Sequence, residues 1–219
     1  MFVKICGMTS AEDALMAAGL GADAVGFVFA PSSRQVTPGR VRSIVERMPT
    51  NILPVGVFRN EARERVVEIT NRTGIRAVQL HGNESPEETH WISQRVPAVI
   101  RGVPAGSRAM VEHESFGKVR FLIDGPAPGS GETFDWNILR ETPINRQFIL
   151  AGGLNPENIV EAILAVNPWG VDAVTGVEER PGVKDASLVR QFIVNARSVP
   201  RSQTDVPRSL SDNWEDTSL

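Results

Sequence analysis

Apolar residues in this chain come in two alternating forms, and that alternation restricts the possible folds more than any single motif does. Short runs rich in β-branched and aromatic residues read as eight buried strands: FVKIC (2–6), DAVGFVF (23–29), ILPVGVF (52–58), RAVQL (76–80), PAVIRGV (97–103), VRFLID (119–124), QFILA (147–151) and GVDAV (170–174). The stretches between them have helical period. AEDALMAAGLG carries Ala14, Leu15, Ala18 and Leu20 on one side, and ARERVVEITNRTG carries Ala62, Val66, Ile69 and Thr73 at helical spacing. Thr9 with Glu12, and Ser85 with Glu88, fit the capping box. Pro38 after Thr37, Pro86 after Ser85 and Pro156 after Asn155 put proline at the first helical position behind a capping side chain. Gly19, Gly21 and Gly74 stand where helices stop.

Strands that alternate with helices, at about 25 residues per unit, imply parallel strands joined by crossovers. The expected fold class is α/β, a single (β/α)8 TIM barrel with a parallel eight-stranded core over residues 1–197. About 200 residues is the lower end of that fold's range. An open doubly wound sheet is the alternative. Its first strand-to-helix turn usually carries a glycine-rich dinucleotide fingerprint, whereas here that turn reads CGMTS, with one glycine. Residues 198–219 turn polar and rich in Pro, Ser and Asp, and are expected to form a disordered tail. Trp214 is the one residue there suited to docking elsewhere.

Charge excludes some partners. With 23 Lys+Arg against 26 Asp+Glu, the net charge of −3 supplies no basic excess to hold nucleic acid or an anionic membrane surface. No apolar run approaches the ~20 residues of a spanning helix, and MFVKICGMTS lacks the features of a signal peptide. Cys6 is the only cysteine, so no internal disulfide can form, and a reducing, cytoplasmic location is expected.

In such a barrel the chemistry sits at the C-terminal strand ends and the loops that follow. Alternation in the first strand puts Lys4 and Cys6 on the lumen face, with Val3 and Ile5 toward the helices. A thiol above a lysine ammonium is a candidate base or nucleophile, and the alternative is a small buried hydrophobe. Asp124 closes the apolar run Phe121–Leu122–Ile123; a carboxylate there is costly without partners or a task, and a general acid is the task it suits. Gly152–Gly153 after the seventh strand and Thr175–Gly176 after the eighth are the two places where this fold commonly holds phosphate. Arg34 is a mid-loop guanidinium suited to a planar carboxylate, or else a solvated loop residue. His81 shares a strand face with Gln79 and is assigned a structural hydrogen bond. The three histidines show no ligand spacing, so no metal is expected.

Together KICGMTS, the arginine of PSSR, VQLHG, the aspartate of FLID, GSGETFDW, LAGGLNPENI and GVDAVTGVEERPGVKD resemble the phosphoribosylanthranilate isomerase family of tryptophan biosynthesis, in the same order over residues 1 to about 197. The resemblance implies an Amadori rearrangement of N-(5-phosphoribosyl)anthranilate to a carboxyphenylamino-deoxyribulose phosphate, with no cofactor. It implies that Asp124 is the general acid, Cys6 the general base and Arg34 the holder of the anthranilate carboxylate. It also matches Gly152, Gly153 and Thr175–Gly176 to the phosphate loops and Asp172 to a polar residue near the sugar. Aldose-to-ketose proton transfer needs one acid and one base, in keeping with that assignment. The expected partner is a small phosphorylated substrate, and monomer and homodimer both stay open.

The chain departs from the family pattern twice. Val174–Thr175 replaces the usual Ser-Ser, removing one hydroxyl and ~1.5–3 kcal/mol of substrate binding at most. Glu132 replaces a usual lysine. Two rival functions share the barrel: a carbon–carbon lyase or synthase on a related indole-glycerol phosphate, and a catalytically silent sugar-phosphate-binding barrel. The first wants catalytic lysines at several strand ends, where this chain has few; the second has no need of both Cys6 and Asp124.

Overall fold

All eight apolar runs form strands in the computed structural model, which describes residues 1–125, 133–139 and 147–200. They are β1 (Phe2–Cys6), β2 (Ala24–Val28), β3 (Leu53–Phe58), β4 (Ala77–Leu80), β5 (Val99–Pro104), β6 (Arg120–Asp124), β7 (Ile149–Leu150) and β8 (Gly170–Ala173). Each pairs in parallel with its sequence neighbours, and β8 returns to β1 with Val3 opposite Val171 and Lys4 opposite Asp172, so the sheet closes. Closure leaves no edge strand to satisfy elsewhere.

Among the described residues seven α-helices cover the barrel: α1 (Ala11–Gly19), α2 (Pro38–Val45), α3 (Arg63–Thr73), α4 (Pro86–Ser93), α5 (Arg108–Val111), α6 (Ile159–Val166) and α7 (Ala186–Ser198). Two cores result. Val3 and Ile5 of β1 join the belt between strands and helices, while Phe2, Leu53, Val55, Ile100 and Leu122 fill the lower barrel with Trp169. Val66, Ile69 and Thr73 of α3 are buried as the spacing requires. On α1 the buried stripe is Ala11, Ala14 and Ala17, not the stripe through Leu15 and Leu20; alanine lets the helix axis come close to the strands.

Ser85 and Glu88 form a complete capping box, with Pro86 in the first turn, and Thr37 caps α2 ahead of Pro38. Gly74 ends α3 in the left-handed conformation. Two expected starts differ. The cap of α1 is Ser10, whose hydroxyl accepts the Asp13 N–H, because the Thr9 hydroxyl is spent on the Gly182 carbonyl at 2.6 Å. Pro156 lies in a turn and α6 proper begins at Ile159, although Asn155 Oδ1 caps that turn as expected by accepting the N–H groups of Glu157 and Asn158.

After β8 comes a 3-10 turn (Thr175–Val177), then a small hairpin of β9 (Glu178–Arg180) and β10 (Val183–Lys184) that leads into α7. No described helix is long and apolar enough to cross a membrane. Residues 126–132, including Glu132, and residues 201–219, including Trp214, lie outside the described residues.

Candidate active site

A cavity of about 210 Å³ opens at the C-terminal ends of the strands. Cys6, Arg34, Asp124, Gly152, Gly153, Asp172, Thr175 and Gly176 all line it. Val28, Val57, Ala151 and Val174 supply apolar wall.

The thiol comes from the end of β1. Cys6 is opposite Gly26 of β2 in the parallel register, and a methyl group at position 26 would fall inside the van der Waals shell of its sulfur. Lys4, two residues back on the same face, is fully buried with its ammonium 2.9 Å from Asp172 Oδ1. Burial alone would drive that ammonium down, but Asp172 and Cys6 outweigh it, so Lys4 is held above the usual lysine value. Burial pushes the Cys6 thiol up, with Lys4 pulling against it. Burial pushes the Asp172 carboxyl up, with Lys4 pulling against it, and the cavity floor is a thiol set on this buried Lys–Asp pair.

Asp124 arrives at the end of β6. Its Oδ1 accepts the Gly125 N–H at 2.8 Å, and its Oδ2 lies 3.3 Å from His81 Nε2. His81 Nδ1 is in turn 2.7 Å from Gln79 Nε2. His81 thus has the structural hydrogen bond expected of it, but it also leans on the carboxyl group from inside the cavity. The period-2 strand pattern that put Gln79 and His81 on one face already contained this signal.

The two glycine turns meet. A methyl at Gly176 would sit 2.7 Å from Asn155 Cβ, so the turn after β8 packs on the turn after β7. Asn158 holds the latter by donating to the Gly153 carbonyl and accepting the Asn155 N–H. Neighbouring glycine turns of this kind make an anion-binding concavity.

Arg34 grips a carboxylate with its Nε and Nη2, as a guanidinium fork does, but the carboxylate is that of Glu178, at 2.8 and 2.6 Å. Glu178 also accepts from Lys184 Nζ at 2.9 Å, and Lys184 donates to the Val174 carbonyl beside the turn after β8. Burial pushes Glu178 up, but the bonds from Arg34 and Lys184 prevail and hold it below the ordinary carboxylate value. The stem of Arg34 lies across Gly7, whose φ of +83° and 2.7 Å clearance to Arg34 Cδ leave no place for a side chain. Neither Glu178 nor Lys184 stood out among the candidates, since separation along the chain hides their link to Arg34.

A closed parallel barrel with an acidic group, a thiol and two anion-ready turns around one strand-end cavity defines a (β/α)8-barrel enzyme whose tools are those of acid–base chemistry. Residues 3–195 match the family described as N-(5′-phosphoribosyl)anthranilate (PRA) isomerase. The N-(5′-phosphoribosyl)anthranilate isomerase of Oceanobacillus iheyensis is 43% identical over 203 residues, covering 90% of this chain and 97% of that one. The crystal structure of phosphoribosyl anthranilate isomerase from Thermotoga maritima superposes with a TM-score of 0.84 at 40% identity, covering 91% of this chain and 100% of that one. A phosphoribosyl anthranilate isomerase in complex with reduced 1-(o-carboxyphenylamino)-1-deoxyribulose 5-phosphate gives 0.81 at 39% identity, with 91% and 100% covered. The chain belongs to the N-(5′-phosphoribosyl)anthranilate isomerase family, and is accordingly an isomerase of tryptophan biosynthesis.

Proposed function

We propose that this chain converts N-(5′-phosphoribosyl)anthranilate to 1-(2-carboxyphenylamino)-1-deoxyribulose 5-phosphate with Asp124 as general acid and Cys6 as general base. The observation that carries the assignment is that one cavity is lined by the carboxyl, the thiol and both glycine turns. The phosphate rests on Gly152, Gly153 and the Thr175–Gly176 turn, with Thr175 supplying a hydroxyl and Val174 none. Arg34 takes the anthranilate carboxylate. Asp172, paired with Lys4, lies under the sugar.

The reaction then runs as two proton transfers and a tautomerisation. Asp124 Oδ1 is occupied by the Gly125 N–H, which leaves Oδ2 to carry the acidic proton. That proton passes to the furanose ring oxygen as its bond to C1′ breaks, giving the Schiff base. The Cys6 thiolate removes the C2′ proton, and the electron pair moves into the C1′–C2′ bond and neutralises the iminium nitrogen to form the enolamine. The enol then loses its hydroxyl proton while C1′ gains one, giving the ketone. No electrons leave the molecule, so no redox partner is consumed. Each well-placed acid or base typically contributes about 10²–10⁴-fold.

The barrel of residues 1–197 is the catalytic unit in this reading, with the tail dispensable and the lone thiol kept reduced in the cytoplasm. The test follows the loss of aminoaldose fluorescence in purified protein without added metal or nucleotide. Turnover is expected; a folded protein with none would leave the silent-barrel reading standing.

A further inference from the structure

Most charges facing the cavity are already matched. Arg34 is bound to Glu178, Asp172 to Lys4, and Asp124 faces His81. Arg59, an exposed lining residue just past the end of β3, is different: among the described residues its guanidinium has no ion pair and no hydrogen bond.

The backbone beneath Arg59 is nonetheless fixed. Asn60 stands at φ 54°, in the left-handed region, and its N–H donates to Glu84 Oε1 at 2.8 Å. Its side-chain oxygen accepts the Asn83 N–H, and Glu84 also takes the Gly82 N–H. Buried Arg101 of β5 then holds that loop through the carbonyls of Gly82 and Glu84. Such a brace presents the Arg59 side chain from a set position and lowers the ordering cost of using it.

Its place in the ring tells which end of a ligand it meets. In the closed order β1 to β8, β3 lies across the barrel from β7, whose turn carries Gly152 and Gly153, and it neighbours β2, whose loop carries Arg34. Arg34 has committed its Nε–H and one Nη2–H to Glu178, so its Nη1–Nη2 edge remains for a second carboxylate, but on a guanidinium whose charge Glu178 already matches. We propose that Arg59 is a specificity-determining residue that supplies the second positive contact to the aromatic carboxylate of the substrate, at the end remote from the phosphate. This rests on the activity proposed above for its ligand, and on the unmatched, braced guanidinium for its residue.

Three proteins decide it: the parent, Arg59→Gln and Arg59→Lys, each assayed at ionic strengths of about 20 and 500 mM, since the Debye length falls from roughly 20 Å to about 4 Å across that range. For an exposed charge, Arg59→Gln is expected to raise KM about threefold to fivefold at low salt with kcat within about twofold. Arg59→Lys is expected to keep most of the parent's KM, and high salt should close the gap. A glutamine variant with the parent's KM, a lysine variant no better than glutamine, or a gap indifferent to salt overturns the proposal. Fluorescence titration with anthranilate is independent of turnover. Arg59→Gln should weaken anthranilate binding and leave inhibition by inorganic phosphate unchanged, whereas the reverse pattern, or no anthranilate binding to the parent, would also overturn it. A parent that binds anthranilate in an Arg59-dependent way yet turns nothing over would sink the proposed activity and leave this contact standing.

Discussion

In the proposed mechanism Cys6 carries the most exacting demand of any single residue, because it must lose a proton in a place where burial favours keeping it. Its pKa lies above the ordinary thiol value, and the thiolate is the working form. The fraction of working enzyme therefore falls as pH falls, and kcat/KM, which reports the free enzyme, should climb through a limb whose midpoint lies above the ordinary thiol value. Cys6→Ser should abolish that limb. Both it and Asp124→Asn should lower kcat at least about a hundredfold in the aminoaldose fluorescence assay; a near-normal kcat would remove that residue from its role. Gly26 offers a test that leaves the reacting groups in place. Gly26→Ala would put a methyl inside the contact distance of the Cys6 sulfur, and displacing a reacting atom by ~1 Å can cost about 10²-fold. A Gly26→Ala protein with the parent's kcat would show that the thiol has more room than its packing implies.

At the scale of elements, the hairpin of β9 and β10 does more than lead the chain into α7. It sets Glu178 and Lys184, both nearly buried, between the Arg34 loop and the Val174 carbonyl. Removing one partner from a buried ion-pair group typically costs about 3–5 kcal/mol. Arg34 is partly exposed, so the lower figure applies, and at about 2–4 °C per kcal/mol Glu178→Gln should lower Tm by about 6–12 °C at pH 7. The pH window has a definite sign. Glu178 is held below its unfolded value of 4.5, so its stabilisation is fully present above that pH and is lost as pH falls through the lower folded value. Parent and Glu178→Gln melting curves should therefore converge as the pH drops from 4.5 through the lower folded value. A gap that persisted in acid would mean the glutamate acts through packing and not through its charge.

For the whole molecule, the closing elements are complete before the polar tail begins. Arg197 near the end of α7 donates to the Gly21 carbonyl and to Asp23, tying the last helix to the start of β2. Deleting residues 201–219 is expected to leave kcat and Tm within error of the parent, and a large fall in Tm would show that the tail packs onto the barrel. The fold was legible because each strand is a short apolar run and several helix starts have their own chemistry, as at Ser85–Glu88. The misplaced start at Thr9 came from competition. There the Gly182 carbonyl draws the Thr9 hydroxyl away, and Ser10 caps α1 instead.

The candidate site divides along the same line. Local order determined the strands, the lumen-facing side of β1, the aspartate closing β6 and the glycine turns after β7 and β8, because side-chain alternation and backbone freedom act over a few residues. Tertiary structure decided the pairings: Lys4 with Asp172 across 168 positions, and Arg34 with Glu178 across 144. Charges that far apart along a polymer become neighbours only through ring closure, and which cation is left unmatched at the cavity depends on every such pairing at once.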